Sequence, residues 1–475
     1  MAVDYDLVIL GGTAYARMAA LQAAGYGARV ALVEAPGLFE QQQQQKYLLQ
    51  GLQQIGETWQ RQTVGERFGL VRGGKLDWQA VLSWSAIAAE TQQAQLSVAS
   101  MSAQGVDVVL EAPQRLTRCL TTITSSRRLS ARSVLAAYGE LPTALETLQS
   151  AQQLPPAISV MGASPEAIEW ALALSDCGIA VTLVAERVLP YEDSDIRRLI
   201  QLQIAALGIR SYTDADYREK AVPQEASIAI EMNRPALELP SFVSLRKNKS
   251  DASKPEEDKR ERNKGEGNKR EENKAAENKL SANRRLQTNH PRVFACGSAL
   301  GGSASEELAR YEIAIALNNA LFLPTAKTSY ETVPQRYSWF ARVGLTESQA
   351  KHRYGSAVQI SASSRADTTC LTRLNPLISY HKLIYANNRL VGAHSIGNKA
   401  ASLVQQLALR IRQPARNGNI LAETIFTELS STQQSNRLHP NWQPGHWQPE
   451  HWQPGHWRRD WAENWFNWQR SRYRR

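Results

Sequence analysis

Asp6-Leu7-Val8-Ile9-Leu10-Gly11-Gly12-Thr13-Ala14-Tyr15-Ala16 reads as an apolar strand that ends in a glycine turn and enters an alanine-rich helix. The chain then returns as Ala28-Arg29-Val30-Ala31-Leu32-Val33-Glu34, a second apolar strand closed by an acid. Such a βαβ opening delivers a helix N-terminus to the end of a strand, where free N–H groups and the positive dipole end suit a pyrophosphate. Glu34 follows the turn by about 20 residues, the spacing at which an acid accepts ribose hydroxyls. The same grammar recurs at Ile158-Ser159-Val160-Met161-Gly162-Ala163-Ser164-Pro165-Glu166-Ala167 and closes at Ala180-Val181-Thr182-Leu183-Val184. Two units imply two dinucleotides, one donating electrons and one relaying them.

Both turns depart from G-x-G-x-x-G/A in the same way. The first reads Gly11, Thr13, Ala16 and the second Gly162, Ser164, Ala167. The leading glycine makes the tight turn, and alanine is an accepted last residue because it still allows close helix–strand packing. At the middle position the backbone must approach the pyrophosphate, and Thr13 and Ser164 add a side chain there. Their hydroxyls offer a donor to phosphate, so the expectation is weakened binding.

Four further segments fall in a fixed order. They are Ser133-Val134-Leu135-Ala136-Ala137-Tyr138-Gly139-Glu140-Leu141-Pro142, Leu286-Gln287-Thr288-Asn289-His290-Pro291-Arg292-Val293-Phe294-Ala295-Cys296-Gly297-Ser298, Val343-Gly344-Leu345-Thr346-Glu347 and Leu390-Val391-Gly392-Ala393-His394-Ser395-Ile396-Gly397. Together with the first turn they resemble the pyridine nucleotide-disulfide oxidoreductases, the family of dihydrolipoamide dehydrogenase, mercuric reductase and glutathione reductase, over most of residues 4–435. The resemblance implies an α/β fold with two Rossmann-like dinucleotide-binding domains, for FAD and NAD(P), and a C-terminal α+β dimerisation domain. It further implies that Gly11, Gly12, Thr13, Ala16, Glu34, Gly139, Gly297 and Ser298 line an FAD site, with Gly162, Ser164, Ala167 and Glu186 at the nicotinamide dinucleotide. Ser298 stands where the family's aspartate faces the flavin's ribityl chain, and Tyr138 replaces a small threonine. Glu186 favours NAD and its neighbour Arg187 favours NADP, so the choice between the two stays open.

The family's working groups are altered. Its C-x-x-x-x-C dithiol corresponds to Glu40-Gln41-Gln42-Gln43-Gln44-Gln45-Lys46, and its H-P-x-x-S-E motif to Glu428-Leu429-Ser430-Ser431-Thr432-Gln433. The four cysteines, Cys119, Cys177, Cys296 and Cys370, are scattered and supply no local pair. Lys46 and Glu169 match a lysine and glutamate that pair near the flavin ring in the family, where the lysine stabilises charge on reduced flavin. They are the candidate catalytic residues. The expected activity is an FAD-dependent NAD(P)H oxidoreductase passing electrons directly to a non-disulfide acceptor such as a quinone, dioxygen or a small redox protein. The alternative is a catalytically retired scaffold that uses the fold and the dimer for docking.

The resemblance divides the chain into an FAD-binding domain (1–150, resumed at 286–325), a NAD(P)-binding domain (151–245) and a dimerisation domain (326–435). Two additions interrupt it. Residues 246–285 repeat Asn-Lys every five residues and carry 14 Lys/Arg against 9 Asp/Glu, a net of +5. They have too little apolar surface to offset ordering entropy, so a solvated, mobile insert is expected. Residues 436–475 hold seven of the 12 tryptophans, three in Trp-Gln-Pro pentads and Trp461, Trp465 and Trp468 following at near-helical spacing, and seven arginines against three acids give +4. Insert and tail thus hold +9 of the +10 formal charge. Proline every fifth residue breaks a continuous helix.

Tryptophan interleaved with arginine suits a membrane surface or an acidic protein partner. No base-reading motif accompanies the charge, which argues against nucleic acid. His446, His451 and His456 are separated by prolines and lack a coordinating cysteine, so no metal site is expected. The tail is expected to be removable without disturbing the core. No apolar run of about 18 residues and no basic-then-apolar leader are present, and unclustered cysteines fit a reducing interior. The expectation is a cytoplasmic homodimer, peripheral at a membrane if the tail binds lipid.

Overall fold

The computed structural model describes residues 3–67, 76–92, 94–138, 148–185, 187–212, 228–231, 282–300, 305–366, 378–397, 400–411 and 464–469. Gly139, Glu186, Cys370, residues 428–433, nearly all of the charged insert and most of the tail lie outside the described residues.

Three sheets organise the chain. The first begins with β1 (Tyr5–Leu10), β2 (Val30–Val33), β3 (Val106–Val109), β4 (Arg115–Leu116), β5 (Thr121–Ile123) and β6 (Arg128–Ala136), in the order β3-β2-β1-β6-β5-β4. Strands β3, β2, β1 and β6 run parallel, so their C-terminal ends share one edge. Leu7–Leu10 and Val30–Val33 are buried throughout. Near-continuous apolar runs are what a parallel strand covered on both faces requires.

Helix α1 (Ala14–Gly25) joins β1 to β2 and buries Ala16, Ala19, Ala20 and Ala23. These short side chains let the helix lie close to the sheet. Next come α2 (Leu38–Arg67), α3 (Trp78–Gln92) and α4 (Val98–Ala103), with α2 reaching from the first sheet to the second. There its Leu48 and Leu52 share a core with Ile168, Ala171 and Leu174.

The second sheet is parallel, ordered β10-β7-β8-β9 from β7 (Ala157–Met161), β8 (Ala180–Val184), β9 (Arg210–Tyr212) and β10 (Ile228–Glu231). Helix α5 (Pro165–Asp176) links β7 to β8, and α6 (Ser194–Ala206) links β8 to β9. The chain then returns as β11 (Val293–Ala295), which pairs in parallel with Val134–Ala136 of β6. Strand β6 divides that edge, giving Arg128–Ser130 to β5 and its end to β11. Helix α7 (Glu306–Leu321) completes the layer with Ile313, Ala316, Leu317 and Ala320 against α1.

The third sheet is antiparallel, β12-β13-β16-β15-β14, built from β12 (Gln335–Arg336), β13 (Phe340–Gly344), β14 (Val358–Ala366), β15 (Ile378–Ala386) and β16 (Arg389–Ile396). It carries α8 (Glu347–Tyr354), and on one face α9 (Ala400–Ile411) buries Leu403, Val404 and Leu407 against it. An ion cluster around a buried lysine ties this sheet to α6. Lys382, 1% exposed, meets Glu347 Oε2 at 2.7 Å, Asp195 Oδ2 at 2.8 Å and Asp193 Oδ2 at 3.2 Å. Burial opposes its charge, yet Asp195, Glu347 and Asp193 together raise its pKa and hold it protonated. Its ammonium thus fills the only trio of acids close enough to ligate a metal among the described residues.

The tail contributes one described element, a helical turn at 464–469. Phe466 is 0% exposed within the core of α1 and α7, its ring centroid 5.7 Å from that of Phe322. The Trp465 indole donates to the Leu321 carbonyl at 3.2 Å. This corrects the expectation of a removable tail: two of its aromatic residues find apolar partners at the end of α7 and are turned inward. No helix among the described residues is long and apolar enough to cross a membrane.

Candidate dinucleotide site

The first turn forms because two strand ends converge. Gly11 has φ +137°, and a Cβ there would lie 2.2 Å from the Ala137 carbonyl oxygen just beyond β6. Only glycine tolerates both the dihedral and the approach. Thr13 is the N-cap of α1: its hydroxyl accepts from the Ala16 N–H at 3.1 Å and donates to the Ala137 carbonyl at 3.1 Å. Its single proton is therefore committed to the protein, which corrects the expectation of a donor for phosphate. Ala16 is fully buried against the sheet, as the close-packing role requires.

Beside it the cleft is bridged. Tyr15, in the first turn of α1, crosses the C-terminal ends of β6 and β11. Its hydroxyl donates to the Tyr138 carbonyl at 2.7 Å and lies 3.4 Å from Ser298 Oγ. Gly297 has φ +65°, and a Cβ on it would lie 2.8 Å from Tyr15 Cζ, so the ring rests on bare backbone. Burial pushes the Tyr15 phenol up to about 12, with the Ser298 hydroxyl opposing. Glu312, buried on α7, accepts from the Gly297 N–H at 2.6 Å and from the Tyr330 hydroxyl at 3.0 Å. Burial raises its carboxyl above the ordinary range. The Tyr138 hydroxyl is buried with no hydrogen-bond partner among the described residues.

Glu34 ends β2 where the sequence placed it, but Arg17 holds both its oxygens. Arg17 Nη2 lies 2.5 Å from Oε1, and Nε donates to Oε2 at 3.2 Å. The same guanidinium donates to the Leu96 carbonyl at 2.8 Å and Glu40 at 3.2 Å, and lies 3.6 Å over the Phe39 ring. Arg17 and Glu34 are each 1% exposed. Burial raises the Glu34 carboxyl, and Arg17 draws it back down.

The second turn keeps its cap, with Ser164 Oγ accepting from the Ala167 N–H at 3.2 Å and Pro165 starting the helix. Gly162 and Ala167 are buried in it. The segment after β8 folds back on this turn, where the Leu189 N–H donates to the Ala163 carbonyl at 3.0 Å. Lys46 and Glu169 are not brought together. Lys46 Nζ bonds Glu306 Oε2 at 2.7 Å, while Glu169 accepts from the Ser338 N–H at 2.6 Å. Although burial opposes it, Lys46 and Arg310 hold the Glu306 carboxyl at about 2. The shift in partner follows from α2, whose continuous helix carries Lys46 toward α7.

Cys119, Cys177 and Cys296 are unpaired thiols. Burial pushes the Cys177 thiol to about 12 and raises that of Cys296 well above its ordinary value. Neither is activated, since only the thiolate is nucleophilic.

Comparison with known proteins places the chain in a family. The family model for pyridine nucleotide-disulphide oxidoreductases covers residues 5–234, and that for their dimerisation domain covers residues 338–436. The chain belongs to the pyridine nucleotide-disulphide oxidoreductase family. Members of this family bind FAD and use NAD(P)H. A dihydrolipoyl dehydrogenase of Bacillus subtilis is 25% identical over 393 residues, spanning 74% of this chain and 79% of that protein. A mercuric reductase of Staphylococcus aureus is 25% identical over 451 residues, 86% of this chain and 77% of its own length. In fold, the chain is similar to the Cu(II) complex of the HOCl-induced flavoprotein disulfide reductase RclA from Escherichia coli, with TM-score 0.59 and 15% identity, covering 89% of this chain and 98% of that one.

The frame of a pyridine nucleotide-disulphide oxidoreductase is present: the Gly11–Gly12 turn, the start of α1, and Glu34, Gly297 and Ser298 on one sheet edge. Ligands of such sheets lie outside the carboxyl ends of the strands, with the pyrophosphate at the helix start. Tyr15 lies across the β6–β11 side of that line and Arg17 occupies the acid on the β2 side. As folded, the cleft is closed from within and does not fit an extended flavin dinucleotide. Sequence reasoning passed over Tyr15, Arg17 and Glu312. Bulk within the glycine turn, and an acid on the alanine-rich face of α7, were the available signals.

Proposed function

We propose that this chain is an NAD(P)H oxidoreductase of its family whose acceptor is not a disulfide, and that it works as a homodimer. The acceptor classes that fit are a quinone, dioxygen or a small redox protein. The observation that carries this reading is the state of the thiols. No cysteine precedes Cys119, glutamines fill the stretch that resembles the dithiol segment, and Cys177 and Cys296 are held protonated by burial. Disulfide exchange needs a thiolate and a partner thiol within reach.

The test is oxidation of NADH and NADPH by full-length protein supplied with FAD, using a quinone, dioxygen or a disulfide as acceptor. Changing all four cysteines to serine should leave quinone-linked or dioxygen-linked turnover unchanged. Loss of that turnover in a folded cysteine-free variant overturns the reading.

A second reading, a catalytically retired scaffold, is supported by the closed cleft at Tyr15 and Arg17. Purified protein without flavin absorbance, which neither takes up FAD nor oxidises NAD(P)H, would leave this reading alone.

A further inference from the structure

We propose that the Tyr15 side chain is an internal competitor for FAD: it occupies the flavin half of the cleft, and the dinucleotide binds only when this phenol swings out. The inference rests on the oxidoreductase reading solely in taking FAD as the ligand.

Position is the first argument. Tyr15 stands in the opening turn of α1, beside the N–H groups that would hold a pyrophosphate. From there it extends over the ends of β6 and β11, the direction a flavin would take from those phosphates. Packing is the second. The ring lies where a Gly297 Cβ would be 2.8–2.9 Å from three of its atoms, so backbone and ring are matched in shape. Hydrogen bonding is the third. The hydroxyl takes the Tyr138 carbonyl and approaches Ser298, the groups that close the two strand ends. Glu312 takes the neighbouring Gly297 N–H, so this backbone donor is also committed.

The fourth observation points to a ligand. The Tyr138 hydroxyl, on the residue whose carbonyl Tyr15 holds, is buried without a partner among the described residues, its ring packed on Ala136, Ala295 and Ala299. Buried polar groups are almost always satisfied, and an orphan in a cleft marks a place for an external polar atom. Rotation of Tyr15 about χ1 would open the strip and free the Tyr138 carbonyl and Ser298 Oγ for an incoming molecule. A site that is closed most of the time binds with an affinity reduced by its open fraction.

Fluorescence titration of the full-length chain with FAD and, separately, with ADP tests this. ADP carries the pyrophosphate and adenosine but lacks the flavin half. Tyr15→Ala should tighten FAD by at least about tenfold, as expected when a dominant closed state is removed, and change ADP far less. Tyr15→Phe keeps the ring, loses the hydroxyl bonds and should fall between. Apo Tyr15→Ala should melt at a lower temperature than wild type and regain the difference on adding FAD. Equal FAD affinity in wild type and Tyr15→Ala overturns the competitor and leaves the oxidoreductase reading standing. Absence of FAD binding in both, with native circular dichroism, overturns both ideas. If the alanine variant does not fold, unchanged FAD affinity in folded Tyr15→Phe overturns the competitor.

Discussion

Arg17 closes a ligand contact by satisfying it first. Its guanidinium spans the Glu34 carboxylate and stacks on Phe39 out of solvent, and reaches the carbonyl of half-buried Leu96. Removing one partner of a buried pair leaves an uncompensated charge, so Arg17→Ala should cost about 3–5 kcal/mol at neutral pH. The pH dependence has a definite sign. Burial already raises the Glu34 carboxyl and Arg17 opposes that rise. Without Arg17 the folded value climbs further above the unfolded one, so stability is greatest below the unfolded pKa and is lost as pH rises through the folded value. The deficit of the variant, read from urea midpoints, should be smaller at pH 5 than at pH 8. A larger deficit at pH 5 would assign the cost to lost packing on Phe39. The sequence made Gly11, Thr13, Ala16 and Glu34 legible because their spacing is local. Tyr15 and Arg17 occupy unconstrained positions of the turn, and their meaning comes from partners far along the chain, such as Tyr138, Ser298 and Leu96.

At the level of elements, β1, β2, β7 and β8 were legible as apolar runs bounded by glycine turns. The 464–469 turn was legible only as the near-helical spacing of Trp461, Trp465 and Trp468, because the proline pentads before it dominate the composition of the tail. Its burial depends on a surface offered by Phe322 and Leu321, and no local pattern announces that surface. Lys46 illustrates the same limit, since its pairing with Glu306 follows from how α2 and α7 meet. Phe466→Ala should destabilise the protein by up to about 3–5 kcal/mol, the range for large-to-small core changes. Deleting residues 464–475 empties the same place, so its thermal melt should fall below wild type at least as far as that of Phe466→Ala. A deletion that leaves the melting temperature unchanged would show that the turn is peripheral to stability.

Across the whole molecule, the three sheets are joined by α2 and by the Lys382 cluster, and the third carries the dimerisation domain. Light scattering on the full-length chain should therefore report twice its 52.8 kDa mass. A mass of one chain would remove the homodimer from the proposed function. The divided edge of β6 also fixes an order of events at the ribosome. Val293, the first residue of β11, follows Ala136 by 157 positions (293 minus 136). At synthesis rates of about 5–20 residues per second, the end of β6 waits roughly 10–30 s for its neighbour. During that interval Val134–Ala136 present unpaired backbone on one side, and the face of α1 later covered by α7 is bare. The entire second sheet emerges in the meantime and can complete its own parallel pairing first. Nascent chains of this protein can therefore reach a stage in which the later-encoded sheet is paired and the first-encoded one is still open, a period when a ribosome-associated chaperone would find its apolar strand end exposed.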